Sequence, residues 1–157
     1  MAATTGVLRL RHNKKSPNAE QALKMLQELQ REFAPLLRNR NWTVDELVEM
    51  CCCSEHSGGV KRSPGIAGMC HSGERGRSSS RIEIRLRVAA DHAQFLDYEG
   101  YVVGTMCHEL SHIVHGNHSS DFYRLMEELR NEFDKTRASA GADGAGTFAG
   151  EGRKADT

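Results

Sequence analysis

The chain has 157 residues, of which 38% are hydrophobic and 27% charged, a length and composition that suit one small domain. Its 21 basic and 21 acidic residues give a net charge of zero, which by itself argues against a nucleic-acid partner. The charge is divided, however, because residues 1–87 carry 15 basic and 9 acidic side chains and residues 88–157 carry 6 and 12. The average is therefore a poor guide to partners.

Membrane and secreted proteins are disfavoured by the sequence. No apolar run approaches the roughly 18 residues of a membrane span, and the first residues lack the apolar core of a signal peptide. Five cysteines is an odd number, and three of them, Cys51 to Cys53, are consecutive. We therefore expect a soluble intracellular protein with reduced thiols and no membrane partner.

The first elements are a strand and a helix. Residues 6–12 alternate apolar and polar side chains, which predicts a half-buried strand. Leucines and Phe33 then recur every three to four residues, which predicts a helix with Ser16 as its cap and Pro17 in its first position. Pro35 should bend or end this helix.

The next segment resembles the start of another helix. Thr43 and Glu46 have the spacing of a capping box, which predicts a short helix through Met50. Residues 54–80 are rich in Gly, Ser and Arg, so we expect a flexible basic loop with a short strand near residues 66–69.

Residues 81–88 alternate without a break and predict the clearest strand of the chain. The expected core face consists of Ile82, Ile84, Leu86 and Val88. The expected solvent face consists of Arg81, Glu83, Arg85 and Arg87.

Two helices and a tail follow. One apolar face between about Tyr98 and His115 predicts a helix, which Gly116 can end in a left-handed conformation. A last helix should run from Ser119 or Ser120 to about Arg137, with Phe122 in its buried stripe. Residues 138–157 contain mostly Gly and Ala, so we expect a disordered tail after a folded domain of residues 1–137.

Residues 108–112 form an HExxH pattern. His108 and His112 lie one helical turn apart on one face, so both imidazoles can reach a single zinc ion. Glu109 is rotated by about 100° from His108 and can reach a water at that ion. The expected reaction is peptide hydrolysis, in which zinc polarises the carbonyl while Glu109 takes the water's proton and delivers it to the leaving amine.

The third ligand has two candidates. His118 follows His108 by ten residues and lies beyond the expected helix end, where a returning chain could present it. His115 lies on nearly the same helix face, but three ligands on one straight helix would span about 10 Å. That span is too long for zinc–nitrogen bonds near 2 Å, so we favour His118. Three protein ligands with one open position are typical of a catalytic zinc.

The cysteines allow a second metal site. Cys51, Cys53, Cys70 and His71 could form a structural Cys3His set, although the usual C-x2-C pair is missing. A partly buried apolar cluster is the simpler interpretation. Cys107 precedes the first expected ligand and lies off the ligand face.

A basic segment is the candidate DNA surface. Residues 60–87 contain two acidic residues and seven basic ones, namely Lys61, Arg62, Arg75, Arg77, Arg81, Arg85 and Arg87. Arginines on a loop and a strand could follow phosphates. An ordinary solvated strand face explains the same charge, and the segment has no aromatic residues for base stacking.

These motifs resemble the WLM family of zinc metalloproteases, relatives of the SprT-like (Spartan) proteases. The resemblance is carried by GTMCHELSHIVHGNH at residues 104–118 and DFYRLMEEL at residues 121–129, with support from the strand at 82–87 and the Trp42 segment. The family's segment before that strand is replaced here by residues 65–70 and a longer Gly/Ser/Arg loop.

The resemblance implies an α+β, zincin-like domain in which a small sheet packs on the HExxH helix. It also implies one zinc ion held by His108, His112 and His118, with Glu109 as general base. The implied activity is DNA-stimulated cleavage, in the nucleus, of proteins bound or covalently crosslinked to DNA, with single-stranded or distorted DNA as partner. Fungal members continue into segments that bind a segregase ATPase and a ubiquitin-like modifier, but the Gly/Ala tail shows no such motif.

Two alternatives remain open. One is a zinc peptidase that acts on ubiquitin-type or SUMO-type conjugates without DNA dependence. The other is a non-enzymatic DNA-binding module in which zinc is only structural, against which the count of three ligands argues.

Overall fold

A five-stranded sheet, a two-stranded hairpin and three helices make up the computed structural model, which describes residues 4–53 and 56–143. The strands are β1 (Gly6–Arg11), β2 (Thr43–Cys51), β3 (Val60–Lys61), β4 (Gly68–Ser72), β5 (Ser78–Arg85), β6 (Arg87–Val88) and β7 (Asp91–Phe95). The helices are α1 (Ala19–Arg40), α2 (Val103–Ser111) and α3 (Ser120–Asp143), and a π-helical turn, Tyr98–Val102, precedes α2. The predicted α+β class is confirmed.

The sheet has the order β1-β2-β5-β4. β2 runs parallel to β1 and β5, and β3 also pairs with the end of β2. The edge strand β4 is antiparallel to β5. α1 packs on β1 and β2, and α2 packs on β4 and β5. α3 packs against both α1 and α2. At its contact with α1, the rings of Phe33 and Phe133 stack at a centroid distance of 4.4 Å.

The α1 helix is predicted correctly in its position but not at its ends. Asn18, in a left-handed conformation, precedes the helix instead of Ser16. The Ser16 hydroxyl is buried and donates to the Cys53 sulfur, so it is not available as a cap. The helix continues past Pro35 to Arg40 because the following turn buries Leu36 and Leu37 in the core.

The short helix predicted over residues 43–50 is wrong, because this segment is the central strand β2. Both faces of β2 are covered, so the apolar residues Val44, Leu47, Val48 and Met50 are all buried. The sequence therefore lacks the alternation of apolar and polar residues that is expected of a strand with one face in solvent. Ladder hydrogen bonds and burial outweigh the local capping signal.

The predicted loop of residues 54–80 contains more strand than expected. It includes β3, and the short strand expected near residues 66–69 is observed as β4, Gly68–Ser72. β5 also begins inside the predicted loop, at Ser78.

The strand predicted over residues 81–88 is confirmed only as far as Arg85, because β5 ends there and Arg87–Val88 form β6 of the separate hairpin. The predicted polar face is not solvated. Glu83, Arg85 and Arg87 are 0%, 3% and 1% exposed. The Arg85 guanidinium donates to the backbone carbonyls of Ile66 and Ser63 at 2.7 and 2.6 Å. Segments that cover this face of the sheet therefore replace water as the partners of these side chains.

Arg87 forms a buried ion pair with Glu49 of β2, with Nε 2.6 Å from the carboxylate. Its guanidinium also donates to the carbonyl of His92 at 2.7 Å and to that of Pro17. Arg87 therefore fixes the hairpin of β6 and β7 against the sheet and the segment before α1.

The ends of the last two helices differ from expectation. α2 ends at Ser111, and Gly116 is not left-handed, so it is not the predicted cap. The start of α3 at Ser120 is confirmed, but the helix extends to Asp143, six residues into the predicted disordered tail. The remainder of that tail, residues 144–157, lies outside the described residues. Among the described helices, none has the length and apolar character needed to cross a membrane.

The cysteines are not all reduced thiols as predicted. Cys51 and Cys53 are joined by a disulfide, with their Cα atoms 5.3 Å apart. Residues two apart at the end of a strand point to the same side, which brings these two sulfurs together. Cys52, Cys70 and Cys107 are free thiols.

Candidate metal centre and cleft

The start of α2 is anchored by the π-helical turn. The Asp97 carboxylate accepts a hydrogen bond from the Gly100 N–H at 2.7 Å, and the Tyr98 hydroxyl donates to Glu32 of α1 at 2.7 Å. π-Helical turns are frequent at functional sites. This one fixes where α2 enters the core, and hence where the histidines of α2 point.

The three predicted ligand residues come together at the other end of α2. His108 lies in the last turn, His112 directly follows the helix, and His118 returns from the connection to α3. The ligand atoms of the three side chains all lie within 4.8 Å of one another. The imidazole of His115 is not in this group, and only its backbone carbonyl contributes, by accepting a hydrogen bond from Nδ1 of His112 at 3.0 Å.

The protonation of these imidazoles suits a metal ion. A carbonyl oxygen can only accept, so Nδ1 of His112 carries a proton and Nε2 is the nitrogen left to bind a metal ion. That Nε2 faces Nε2 of His118 at 3.2 Å. Burial and the neighbouring His112 and His118 lower the pKa of His108, which favours its neutral form. The three side chains can therefore present lone pairs to one cation.

Phe122 supports all three imidazoles. It lies in the first turn of α3, is fully buried, and its N–H donates to the Ser119 hydroxyl at 3.2 Å. Its ring centroid lies 4.9, 4.7 and 4.9 Å from those of His108, His112 and His118. Periodicity predicted Phe122 only as a core residue of the last helix, although its position four residues after His118 was a usable signal.

Glu109 lies on the wall between the sheet and the histidines. Its side chain is nearly buried, and burial together with the negative charge of Glu83 raises its pKa to about 7. A carboxyl group with this pKa can both accept and release a proton near neutral pH.

Gly68 of β4 makes room for the Glu109 side chain. A Cβ atom at this position would lie 2.8 Å from Oε2 of Glu109 and 2.8 Å from Cγ2 of Thr105, closer than real Cβ contacts. Only glycine therefore allows β4 to pass this close to the carboxylate. No motif in the sequence pointed to a functional role for Gly68.

A cleft of about 670 Å³ opens over these groups. One wall is the edge strand β4 with the turn that follows it, and the other is the end of α2 with its connection to α3. Its lining includes the three histidines, Glu109, Cys70 and Arg75. Burial raises the pKa of the Cys70 thiol, which keeps it protonated at neutral pH.

The seven basic residues predicted to contact DNA are separated by the fold. Lys61, Arg75 and Arg77 are exposed, and Arg75 lines the cleft. Arg62 and Arg81 are half-buried and share the buried Glu83, with Arg62 bonded to both carboxylate oxygens at 2.8 and 2.9 Å.

Arg85 and Arg87 are buried, so the prediction that they face outward toward DNA is wrong. The Arg85 guanidinium donates to backbone carbonyls, and the Arg87 guanidinium donates to the Glu49 carboxylate.

The alternative Cys3His site is not assembled in the structure. Cys51 and Cys53 are paired with each other, Cys70 donates to the Ser79 hydroxyl, and Nε2 of His71 lies 2.6 Å from Glu83. Cys107 is buried, and burial raises its pKa to about 12.

Comparison with known proteins gives a consistent family. The family model named WLM domain matches residues 5–156. The chain is 32% identical over 113 residues to the DNA-dependent metalloprotease WSS1 of Saccharomyces cerevisiae, covering 72% of this chain and 36% of the relative. It is also 32% identical over 120 residues to the DNA-dependent metalloprotease WSS1 homolog 2 of Schizosaccharomyces pombe, covering 75% and 39%. The chain thus spans little more than a third of the length of either relative.

Solved structures agree with this family. The crystal structure of Wss1 from S. cerevisiae superposes with a TM-score of 0.71 at 28% identity, covering 86% of this chain and 94% of that one. The structure of Wss1 from S. pombe superposes with a TM-score of 0.62 at 27% identity, covering 85% and 97%. The likeness therefore extends over nearly all of the folded region of both neighbours.

Proposed function

Because the chain belongs to the WLM domain family, we propose that it is a zinc-dependent endopeptidase, activated by DNA, that cleaves proteins bound or covalently crosslinked to DNA. One observation carries the proposal: three imidazoles converge beside a buried carboxylate of raised pKa in the wall of a cleft. Both relatives are named DNA-dependent metalloproteases, which supports the same reaction class.

His108, His112 and His118 would hold the ion. A set of three neutral imidazoles suits zinc and leaves a position open for chemistry. When bound, zinc supplies a Lewis acid that polarises the substrate carbonyl and makes water more acidic. Phe122 keeps the imidazoles in the orientation that binding needs, because it contacts all three rings.

Glu109 is the general base in this proposal. Its carboxylate takes a proton from the attacking water and passes it to the nitrogen of the leaving amine. A pKa raised to about 7 by burial suits both transfers. The backbone of β4 passes close to the carboxylate at Gly68 and limits its movement on that side, which favours attack from one direction.

The substrate would lie along β4. This strand is at the edge of the sheet and lines the cleft opposite the histidines, so an extended peptide can add to it as a further strand. Edge pairing uses the peptide backbone and therefore accepts many sequences, as a protease for diverse DNA-bound proteins requires.

DNA would bind at the rim of the cleft. Arg75 lines the cleft and Arg77 is exposed in the same turn between β4 and β5. Lys61 is also exposed, but it pairs with the other end of β2 and does not line the cleft. Phosphate contacts at the rim would place a DNA-bound protein near the catalytic groups. Single-stranded or distorted DNA is the proposed form, and repair of crosslinks would take place in the nucleus.

The decisive experiment compares cleavage of a single-strand DNA-binding protein with and without DNA, at two salt concentrations. Glu109→Gln should keep its zinc and lose about 10²–10⁴-fold in rate. Glu127→Gln, on the exposed face of α3, is the matched control and should cleave at the wild-type rate. Full activity of Glu109→Gln would reject the mechanism.

The same assay separates the alternative functions. Equal rates with and without DNA would reject DNA activation and favour a peptidase for ubiquitin-like conjugates. DNA binding by a chain that cleaves nothing at any salt concentration would favour a non-enzymatic module. Stimulation that falls as salt rises would support phosphate contacts.

A further inference from the structure

A second cluster of metal-binding side chains lies where β2 ends. The ligand atoms of Cys51, Cys53 and His92 all lie within 4.8 Å of one another, and none of these residues lines the catalytic cleft. We propose that these three side chains form a second metal site, which binds one zinc ion when the two cysteines are reduced.

The donor set determines which cation fits. Two thiolates and one imidazole are soft ligands that favour zinc over magnesium or calcium. Cys51 and Cys53 are 1% and 4% exposed, so a bound ion would be largely shielded from water.

Hydrogen-bond donors already point at both sulfurs. The Cys53 N–H donates to Sγ of Cys51 at 3.2 Å, and the Ser16 hydroxyl donates to Sγ of Cys53 at 3.0 Å. Donors in these positions stabilise the thiolate form that a metal requires.

The third ligand is held in place by the fold. Arg87, paired with the buried Glu49 two residues before Cys51, donates to the carbonyl of His92 at 2.7 Å. The Cys52 sulfur lies 3.2 Å from Nε2 of the His92 ring and helps to orient it. The ion would therefore join β2 and the hairpin of β6 and β7, next to the segment that carries Ser16.

Metal binding and the observed disulfide exclude each other. The Cys51–Cys53 disulfide gains two electrons and two protons to become two thiols, which release protons when they bind zinc. A water-soluble phosphine can supply the electrons: it becomes the phosphine oxide, and water provides the oxygen and both protons.

Cobalt(II) distinguishes the two metal sites, because only a thiolate site gives a sulfur-to-cobalt charge-transfer absorption. The phosphine-reduced chain should bind two cobalt ions and show this absorption. Cys51→Ser and Cys53→Ser should each bind one ion and lose the absorption. His92 lies in the half-exposed hairpin, so His92→Ala should keep the fold. Its affinity for the second cobalt ion should fall by at least about tenfold.

Two further variants make the test specific. Cys70→Ala removes the thiol beside the catalytic cleft and should retain both ions and the absorption. His112→Ala should lose the catalytic ion and keep the absorption, so the outcome does not depend on the proposed protease activity.

Three results would overturn the proposal. They are a reduced wild-type chain without the absorption, an absorption that survives both Cys51→Ser and Cys53→Ser, and an absorption that disappears with Cys70→Ala.

Discussion

Replacing Gly68 by alanine would place a methyl group against the Glu109 carboxylate, the proposed general base. The added Cβ would lie 2.8 Å from Oε2 of Glu109 and 3.0 Å from its Cγ, whereas ordinary contacts begin at 3.4 Å. The carboxylate must therefore move by about 0.6 Å, because the opposite side of the new methyl group is blocked by Thr105 at 2.8 Å.

This displacement should lower the rate and leave the metal in place. A misplacement of about 1 Å can cost about 10²-fold in rate, so we expect kcat to fall by about 10-fold to 100-fold. The fall corresponds to about 1.4–2.7 kcal/mol in the barrier. Zinc content should be unchanged, because the closest clashes are with Glu109 and Thr105 and not with a histidine.

Gly65→Ala is the matched control. Gly65 lies three residues earlier in the same segment, and a Cβ there meets no atom within 4 Å. The assay is the initial rate of cleavage of a DNA-bound protein over a range of substrate concentrations, with zinc content and Tm measured on the same samples. Equal kcat values for the two alanine variants would refute the assigned role of Gly68, and loss of zinc from Gly68→Ala would show that the histidines are displaced instead.

Three further changes test other parts of the structure. Phe122→Leu should lower the zinc affinity by about 10-fold to 100-fold in a chelator titration. Phe133 is equally buried but stacks on Phe33 and not on the histidines, so Phe133→Leu should leave the zinc affinity unchanged. Burial alone would raise the pKa of the Glu83 carboxyl, but its hydrogen bonds to Arg62 and His71 outweigh burial, so the pKa is lowered from its ordinary value of 4.5. The charged carboxylate therefore stabilises the fold at pH values above 4.5, and this stabilisation is lost as the pH falls below 4.5. Glu83→Gln should therefore lower the free energy of unfolding, measured in urea, by about 1–3 kcal/mol at pH 7 and by less in acid. An equal loss at both pH values would contradict the lowered pKa of Glu83. Arg75→Gln should reduce the slope of log K for single-stranded DNA against log salt by about 0.7, and the exposed Arg38→Gln on α1 should leave it unchanged.

Local patterns were sufficient for the helix that carries the site. The HExxH spacing depends only on helix geometry, and the predicted trio of His108, His112 and His118 is brought together. The strand at β1 and the position of α1 were also recognised, because each has one buried face and a periodic sequence.

The sequence was misleading wherever both faces of an element are buried. In β2 the burial on both sides removed the alternation, and a local capping box then suggested a helix. In β5 the alternation was present, but the polar residues Glu83 and Arg85 are covered by other segments and satisfied there. Periodicity distinguishes apolar from polar faces, and it does not show whether a polar face meets water or a buried partner.

The sequence by itself indicated the chemistry that we propose for this protein: which side chains of α2 and its connection can hold a metal, which carboxylate lies beside them, and the family that shares them. Only the tertiary structure decided which of the basic residues remain free for DNA, that Gly68 and Phe122 shape the site, and that Cys51, Cys53 and His92 meet. The physical reason is range. Ligand spacing within one helix is set by the backbone over a single turn, whereas burial, ion pairing and close approach depend on segments that are tens of residues apart and meet only in the folded chain.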